Sequence, residues 1–367
     1  MVEATLVSSN FSDQLNSWYT YVLNSEIDKA VQIKQDMSRQ LKNLSSQNSP
    51  VFLHAKLIEL SHALLLKDKQ NADKLLKELA PFEPKLCDKL KFYFYFFKGQ
   101  YAYQNQNYED SLIEYRKAKD YIEGIESDFE RAEFHYKIAS SYYFIHHSLL
   151  SISHLEEAQA LYDFSIDRNI VRNADCEMLF GLNYLDMKQY GLAEEKFHSA
   201  LMYSKRVNDP QLRNRVLHNL GFFYAEQGHS EAAVRYLKLL MLDREYEYSL
   251  RAIFLLYREY CRLGEIEEAE NCYEIGIKQV NKTANTEYKY KFELLKVLLL
   301  NQNKMDEKLF FESVMYFEEN KNWEDVEEYA KLVAQVYSKA DKHEKAVHYY
   351  ELAFKARNTI NQMEALK

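Results

Sequence analysis

Residues 217–237 read LHNLGFFYAEQGHSEAAVRYL, and the spacing inside this stretch recurs along most of the chain. Gly221 is followed by Tyr224 after three residues, by Ala233 after twelve and by Leu237 after sixteen. Five further stretches keep this spacing, and they start at Gly99, Ala139, Gly181, Tyr257 and Ala334. A frame of small and large apolar positions that returns at a regular interval indicates an array of similar units.

The spacing has a physical reason. Small residues stand where the first helix of a unit (helix A) crosses the second (helix B), so the two backbones can approach closely. The larger residues fill the space toward the next unit, because no single helix pair can bury its own apolar face. This is the tetratricopeptide pattern. The sequence therefore predicts an all-α protein in which residues 91–367 form a superhelix of about seven tetratricopeptide repeats, counting one degenerate unit at 287–320.

Residues 1–70 lack the frame and predict an N-terminal three-helix bundle. Apolar residues recur there at helical spacing in three runs. The runs are Phe11, Leu15, Trp18 and Val22; Ala30, Ile33, Met37, Leu41 and Leu44; and Leu53, Leu57, Leu60 and Leu64. Residues 71–90 contain a short helical run and then Pro81 and Pro84, so we expect a linker with one short helix.

Composition and charge exclude several classes of function. The net charge of −9 argues against direct nucleic-acid binding, and seven basic residues balance seven acidic residues in the predicted bundle, which disfavours a DNA-binding helix-turn-helix. No signal peptide or membrane-spanning run is expected, so we predict a cytoplasmic protein without membrane contact. The four cysteines show no metal-ligand spacing, and no catalytic motif is present, so we expect no metal site and no cofactor of its own.

Polar residues near the repeat markers are candidates for peptide binding, because helix A lines the concave surface of such repeats. Asn219 lies two residues before Gly221, while Asn183 and Asp186 flank Tyr184. An asparagine side chain can bond both a carbonyl and an N–H of an extended peptide, and an aspartate can pair with a basic group. From the residues alone, peptide binding and the bonding of neighbouring helices stay equally open as roles.

The chain resembles the Rap family of Gram-positive bacteria, which are response-regulator aspartate phosphatases inhibited by Phr signalling pentapeptides. The resemblance is carried by LNSWY (15–19), FYFYFFKGQY (92–101), ERAEFHYKIASSYY (130–143), NYLDM (183–187) and LHNLG (217–221). It implies that the bundle and linker grip a response regulator, and that some members dephosphorylate it whereas others occlude its DNA-binding domain. A pentapeptide bound to the repeats would release the regulator.

The resemblance also implies roles for individual residues. Asn219 matches the asparagine that holds the peptide backbone, and Asp186 matches a peptide-contacting aspartate. Tyr142 and Tyr184 would line the same groove.

One position departs from the phosphatase members. Their third bundle helix carries a glutamine, in a run like YYQLLEFRH, that can orient the water attacking the phosphoryl group. Here the run is HAKLIELSH (54–62), and Lys56 takes that position. An ammonium group only donates hydrogen bonds, so it cannot accept a proton from the attacking water. We therefore expect inhibition by sequestration of the regulator from DNA.

Two alternatives stay open. One is a working aspartyl-phosphate phosphatase that uses the Mg²⁺ of the response regulator, with a residue other than Lys56 aiming the water. The other, from a different class, is a repeat scaffold that binds peptide tails and has no regulator partner.

Overall fold

The computed structural model describes residues 9–42, 49–162, 167–242, 249–300 and 306–365, and over these residues it contains helices and no strand. The all-α prediction is confirmed. The helices are α1 (Ser9–Leu23), α2 (Ile27–Lys42), α3 (Pro50–Leu65), α4 (Lys69–Leu79), α5 (Asp88–Gln104), α6 (Tyr108–Lys119), α7 (Asp128–Phe144), α8 (Ser148–Leu161), α9 (Asp167–Asp186), α10 (Tyr190–Arg206), α11 (Pro210–Glu226), α12 (Ser230–Lys238), α13 (Ser249–Leu263), α14 (Ile266–Thr283), α15 (Thr286–Leu295), α16 (Glu307–Glu319), α17 (Trp323–Lys339) and α18 (His343–Ala365). Short helical turns lie at Ala80–Lys85, Ile122–Gly124, Leu239–Leu242 and Lys296–Leu300.

The chain divides into two compact units, Met1–Met187 and Lys188–Lys367, and each is described by itself. From α5 onward the described helices follow the order expected of seven helix pairs, with the odd-numbered helix of each pair as helix A. Among the described helices, none is both long and apolar enough to cross a bilayer.

Local sequence explains where the key helices begin. Asp209 accepts a hydrogen bond from the backbone N–H of Leu212, and Pro210 occupies the first turn of α11. Ser49 and Pro50 start α3 in the same way, with the hydroxyl of Ser49 accepting from the N–H of Phe52. Each cap satisfies a backbone donor that has no partner inside the helix, and proline tolerates the first turn because it needs no donor there.

The close approach of helices A and B occurs at the marker glycines. A Cβ atom added to Gly221 would lie 2.5 Å from Cγ of Leu237, which is sixteen residues later in α12. Gly99 meets the buried ring of Tyr115 at the same spacing in the first helix pair. The small residue of the frame therefore allows a large side chain of helix B to pack directly against the backbone of helix A.

The third helix is shared between two apolar cores. Ala55 and Ile58 pack with Trp18 of α1, whereas Leu57 and Leu60 pack with α4 and the aromatic face of α5. The expected short helix after residue 70 is present as α4, and its apolar residues join the second of these cores. The boundaries 1–70, 71–90 and 91–367 stay a prediction, since α3 does not belong to one core alone.

Candidate functional site

Asn219 has a side-chain amide that forms no hydrogen bond within the described part of the chain. It lies in α11, and its side chain is half-buried. The flanking residues Leu220, Gly221 and Phe223 are buried, so the helix is fixed in place. Within the described residues, no hydrogen bond engages the side-chain amide of Asn219. Both its donor and its acceptor are consequently available to a ligand.

Asp186 and Tyr184 lie near the end of α9, in the first unit, whereas Asn219 lies in the second. Asp186 is exposed and can meet a ligand or solvent. Tyr184 is half-buried, and its ring stacks on Phe180 of the same helix with centroids 6.3 Å apart.

Asn183 lies inside the protein, although its position in the sequence suggested a place in the peptide groove. It has no exposed surface. Its amide donates to Oγ of Ser151 at 2.9 Å and to the carbonyl of Leu179 at 2.8 Å. Ser151 in turn donates to the carbonyl of Ala139 at 2.9 Å. In this structure Asn183 ties α9 to α8, and a ligand has no access to it.

Tyr142 faces its partner helix. Its ring stacks on His154 of α8 with centroids 5.7 Å apart and planes 16° apart. Tyr224 holds the same frame position in the helix pair α11/α12, and its ring likewise stacks on Tyr236 of α12. Tyr142 and Tyr224, each three positions after its marker, are thus both turned toward helix B. The predicted contact of Tyr142 with a peptide stays a prediction, and its observed contact is with α8.

Lys56 is bound by two carboxylates. Its Nζ lies 3.1 Å from Oε2 of Glu59 and 3.4 Å from Oε2 of Glu78 on α4. Lys34 of α2 contacts the other oxygen of Glu59 at 3.2 Å. Burial lowers the pKa of Lys56, but Glu59 and Glu78 outweigh burial and raise it above its usual value. Lys56 therefore stays protonated and is a poor candidate for positioning or deprotonating water.

These charges line a cavity of about 790 Å³ between α2, α3 and α4. The cavity is lined by Lys34, Gln35, Ser38, Leu41, Phe52, Ala55, Lys56, Glu59, Glu78, Leu79 and Phe82. Lys34, Glu59, Lys56 and Glu78 alternate in sign around it, so each cation has a carboxylate nearby. We call these four residues the α3 charge ladder.

His62 is an internal hydrogen-bond acceptor. The indole Nε1 of Trp18 donates to its Nδ1 at 3.0 Å, and both side chains are buried. Burial lowers the pKa of His62 to about 4, with Lys34 adding to the effect and Glu59 opposing it. At neutral pH the imidazole is therefore uncharged, which suits its role in fixing α1 against α3.

Comparison with known proteins connects this arrangement to a family. The sequence model of a domain described as response regulator aspartate phosphatase H, N terminal, matches residues 5–67. Regulatory protein RapF of Bacillus subtilis (strain 168) is 27% identical over 368 residues, which cover 96% of this chain and 96% of RapF. Along nearly its whole length, the chain is similar to Rap proteins.

Two solved structures of Rap proteins are similar to this chain over almost its whole length. A Rap protein complexed with Competence and Sporulation Factor has a TM-score of 0.80 and 23% identity, covering 97% of this chain and all of that one, 100%. The Rap conjugation gene regulator of the plasmid pLS20, in complex with the Phr* peptide, has a TM-score of 0.64 and 25% identity, covering 96% of each chain. The similarity to the complex with Competence and Sporulation Factor shows that the two chains share one fold.

The structure adds a charged cluster that the sequence analysis missed. Arg172 of α9 contacts Glu133 of α7 at 2.7 Å and Asp175 at 3.3 Å. The hydroxyl of Tyr162 donates to the same oxygen of Glu133 at 2.7 Å. Both carboxylates are more than nine-tenths buried. A signal was present in the frame, because Glu133 and Asp175 each lie six residues before a marker, at Ala139 and Gly181.

No described group of three or more His, Cys, Asp or Glu side chains is arranged to hold a metal ion. The cysteines Cys87, Cys176, Cys261 and Cys272 are free thiols.

Proposed function

We propose that this chain is a peptide-responsive quorum-sensing regulator of the Rap family that binds a bacterial response regulator and blocks its output. The N-terminal helices would contact the regulator, and a short Phr-type peptide bound to the repeats would relieve the block in the cytoplasm. The similarity to a family whose solved members include complexes with signalling peptides supports the peptide part. The name of the matching family model, which is that of a response-regulator phosphatase, supports the regulator part.

Asn219 carries the peptide part of the proposal. Its half-buried amide has no hydrogen-bond partner among the described residues, and an asparagine that serves only to hold helices together would be engaged, as Asn183 is. We assign peptide contact to Asn219 and Asp186, with Tyr184 and Tyr142 as further candidates. Asn183 would act by holding α9 and α8 in position.

The paired state of Lys56 favours sequestration over catalysis. A group that activates water must accept a proton or a hydrogen bond, and the ammonium of Lys56 does neither. Two carboxylates also hold it in place. The acidic chain would be attracted to a basic DNA-binding surface on the regulator, so competition with DNA is the expected mode of inhibition.

The first experiment measures acyl-phosphate loss from candidate phosphorylated response regulators at substoichiometric amounts of this protein, beside a DNA-binding competition assay. We expect no turnover, and loss of DNA binding near equimolar protein. Lys56→Gln tests the reason directly, because it restores an acceptor at the position of the family glutamine. Lys74→Gln, at an exposed lysine of α4, is its control.

A working phosphatase is the second candidate, and the name of the matching family model favours it. The Mg²⁺ would be that of the regulator, where it polarises the phosphoryl group. Fast Mg²⁺-dependent turnover by the wild-type protein would establish this activity and remove sequestration as the main mechanism. Binding of unrelated chain termini with no regulator bound at all would instead identify a repeat scaffold.

The peptide part is tested separately with Asn219→Ala. We expect this variant to keep its effect on the regulator and to lose its response to active peptides, because the backbone bonds of the peptide are lost. Asn271→Ala, at an exposed asparagine of α14, should respond like the wild type. An unchanged peptide response in Asn219→Ala would show that the groove assignment is wrong.

A further inference from the structure

Lys137 of α7 stands beside the charged cluster but is not paired within it. It lies one helical turn after Glu133, so the two side chains share a face. Glu133 and Asp175 are both engaged by Arg172, and Glu133 also by Tyr162. Among the described residues, no carboxylate oxygen lies within 4.0 Å of Nζ of Lys137, which is outside ion-pair distance.

The surroundings of Lys137 do not supply a replacement partner. Its Nζ lies 5.6 Å from the centre of the Tyr136 ring, which is a weak contact for an ammonium group. The side chain is only partly exposed. Burial lowers its pKa, and Arg172 lowers it further, while Glu133 and Asp175 act in the opposite direction without overcoming burial. A partly buried ammonium group without an ion pair lowers the stability of the fold unless an anion binds to it.

The repeat frame gives Lys137 a second significance. It lies two residues before the marker Ala139, and Asn219 lies two residues before the marker Gly221. The two side chains therefore occupy the same position on helix A of their respective helix pairs. The charges of Arg172 and Asp175, which lie on the next helix A (α9), act on the ammonium group of Lys137. This is the position at which the proposed function places ligand contact.

We propose that Lys137 binds a carboxylate of the peptide ligand, either the C-terminal carboxylate or the side chain of an acidic residue. The inference rests on the proposed peptide-binding function. A charge-assisted hydrogen bond to a partly desolvated ammonium is strong, and it would give Lys137 the ion pair that it does not make within the described residues. Arg172 already pairs with both carboxylates of the cluster, whereas Lys137 pairs with neither. Lys137 thus selects for peptides that carry a carboxylate.

The experiment uses the full chain and three pentapeptide libraries of otherwise random sequence. The first has free carboxyl termini, the second has C-terminal amides, and the third has free termini but contains no Asp or Glu. Bound peptides are identified by mass spectrometry after affinity selection, and the dissociation constants of selected sequences are measured individually. The proteins are the wild type, Lys137→Met, Lys137→Arg, and Lys119→Met at an exposed lysine of α6.

We expect removal of the relevant carboxylate to weaken binding to the wild type by about ten-fold or more. Loss on amidation identifies the C-terminus, and loss only without Asp and Glu identifies a side chain. Lys137→Met should bind all forms equally, while Lys137→Arg and Lys119→Met should keep the preference. If Lys137→Met does not fold, judged by circular dichroism, Lys137→Gln replaces it.

The inference could be overturned in two ways, one that leaves the proposed function standing and one that does not. In the first, peptides bind the wild type and lose affinity in Asn219→Ala, yet show no preference for any carboxylate; Lys137 then has no such role while the proposed function stands. Lys137 likewise has no such role if Lys137→Met keeps the wild-type preference. In the second, no library yields a peptide that binds the wild type; the peptide part of the proposed function then falls, and the inference falls with it.

Discussion

The α3 charge ladder and the α7–α9 cluster are built from the same kinds of residues but use them differently. In the ladder, Lys56 and Lys34 share the carboxylate of Glu59, and Glu78 completes the row. In the cluster, Arg172 takes both carboxylates and leaves the ammonium of Lys137 without one. A planar guanidinium can hold two carboxylates at once, whereas an ammonium is a single charged point.

The difference separates charges that hold the fold from charges that are open to a ligand. A row of alternating charges satisfies itself, so the ladder needs no partner to be stable. In the cluster, Lys137 makes no ion pair with a described residue, so its ammonium group is open to a further anion. The same contrast holds between two asparagines, since Asn183 is bonded inside the protein and the amide of Asn219 has no partner among the described residues.

The largest expected effect is the loss of Arg172. Arg172→Met would leave Glu133 and Asp175 buried without a cation, and breaking a buried pair in this way costs about 3–5 kcal/mol. The measurement is urea unfolding followed by the fluorescence of Trp18, with Trp323 changed to Phe in every protein so that one tryptophan reports on the first unit.

Arg131→Met is the matched control, because the side chain of Arg131 is half-exposed and makes only a local pair with Asp128 at 3.6 Å. Its expected cost is below about 0.5 kcal/mol. Equal effects of the two arginine substitutions would show that the cluster does not depend on Arg172, and the contrast with the ladder would fail.

An intermediate effect is expected from acid. His62 has a pKa of about 4 in the folded protein, below the value of 6.5 for the free side chain, so the unfolded chain binds the proton first. Its contribution to stability is therefore present above about pH 6.5 and is lost as the pH falls toward 4. Between pH 7 and pH 5 we expect a loss of about 1–2 kcal/mol from this residue.

The test compares urea unfolding of the wild type and His62→Gln at pH 7 and pH 5. Glutamine can still accept a hydrogen bond from Trp18 but does not titrate, so the variant should lose less stability on acidification. His135→Gln repeats the test at a second histidine, which lies outside α3. Burial lowers the pKa of His135 to about 4 as well. An equal acid response in the wild type and His62→Gln would contradict the assignment.

The smallest expected effects differ in sign. Lys56→Met removes a partner from two carboxylates in a half-exposed setting and should lower the free energy of unfolding by up to about 1 kcal/mol. Lys137→Met removes a partly buried charge without an ion pair and should raise it by up to about 1 kcal/mol. The free energy of unfolding is measured with urea in the absence of peptide. If both substitutions change it in the same direction, the two lysines do not differ electrostatically as described.

The sequence predicted those features that depend on local spacing. The interval from Gly221 to Leu237 implied a close helix crossing, and the structure has it, because a helical period converts sequence distance directly into direction. The position of Asn219 on helix A follows from the same period. The stripe through Leu53, Leu57 and Leu60 likewise predicted a buried face of α3.

Features that depend on which helices meet were not predictable in this way. Arg172 lies far along the chain from Glu133, and only the packing of α7 against α9 brings them together. Glu78, the second partner of Lys56, lies in the segment that the sequence marked as a linker. The burial of Asn183 was missed because its hydrogen bond to Ser151 reaches a different helix. The assignments of Lys56, Asp186 and Asn219 stay predictions.

The position of α3 between two cores also sets a limit on how readily the N-terminal helices can move. Leu53, Leu57, Leu60 and Leu64 are nearly inaccessible to solvent in the core that α3 shares with α4 and α5. Exposing four such side chains costs about 6–12 kcal/mol, so a spontaneously detached α3 would be present in fewer than about one molecule in ten thousand. Under the proposed function, a regulator that draws α3 away would have to supply an apolar surface of comparable size. Slow hydrogen exchange along α3 in the free protein would reveal how rarely this helix detaches alone.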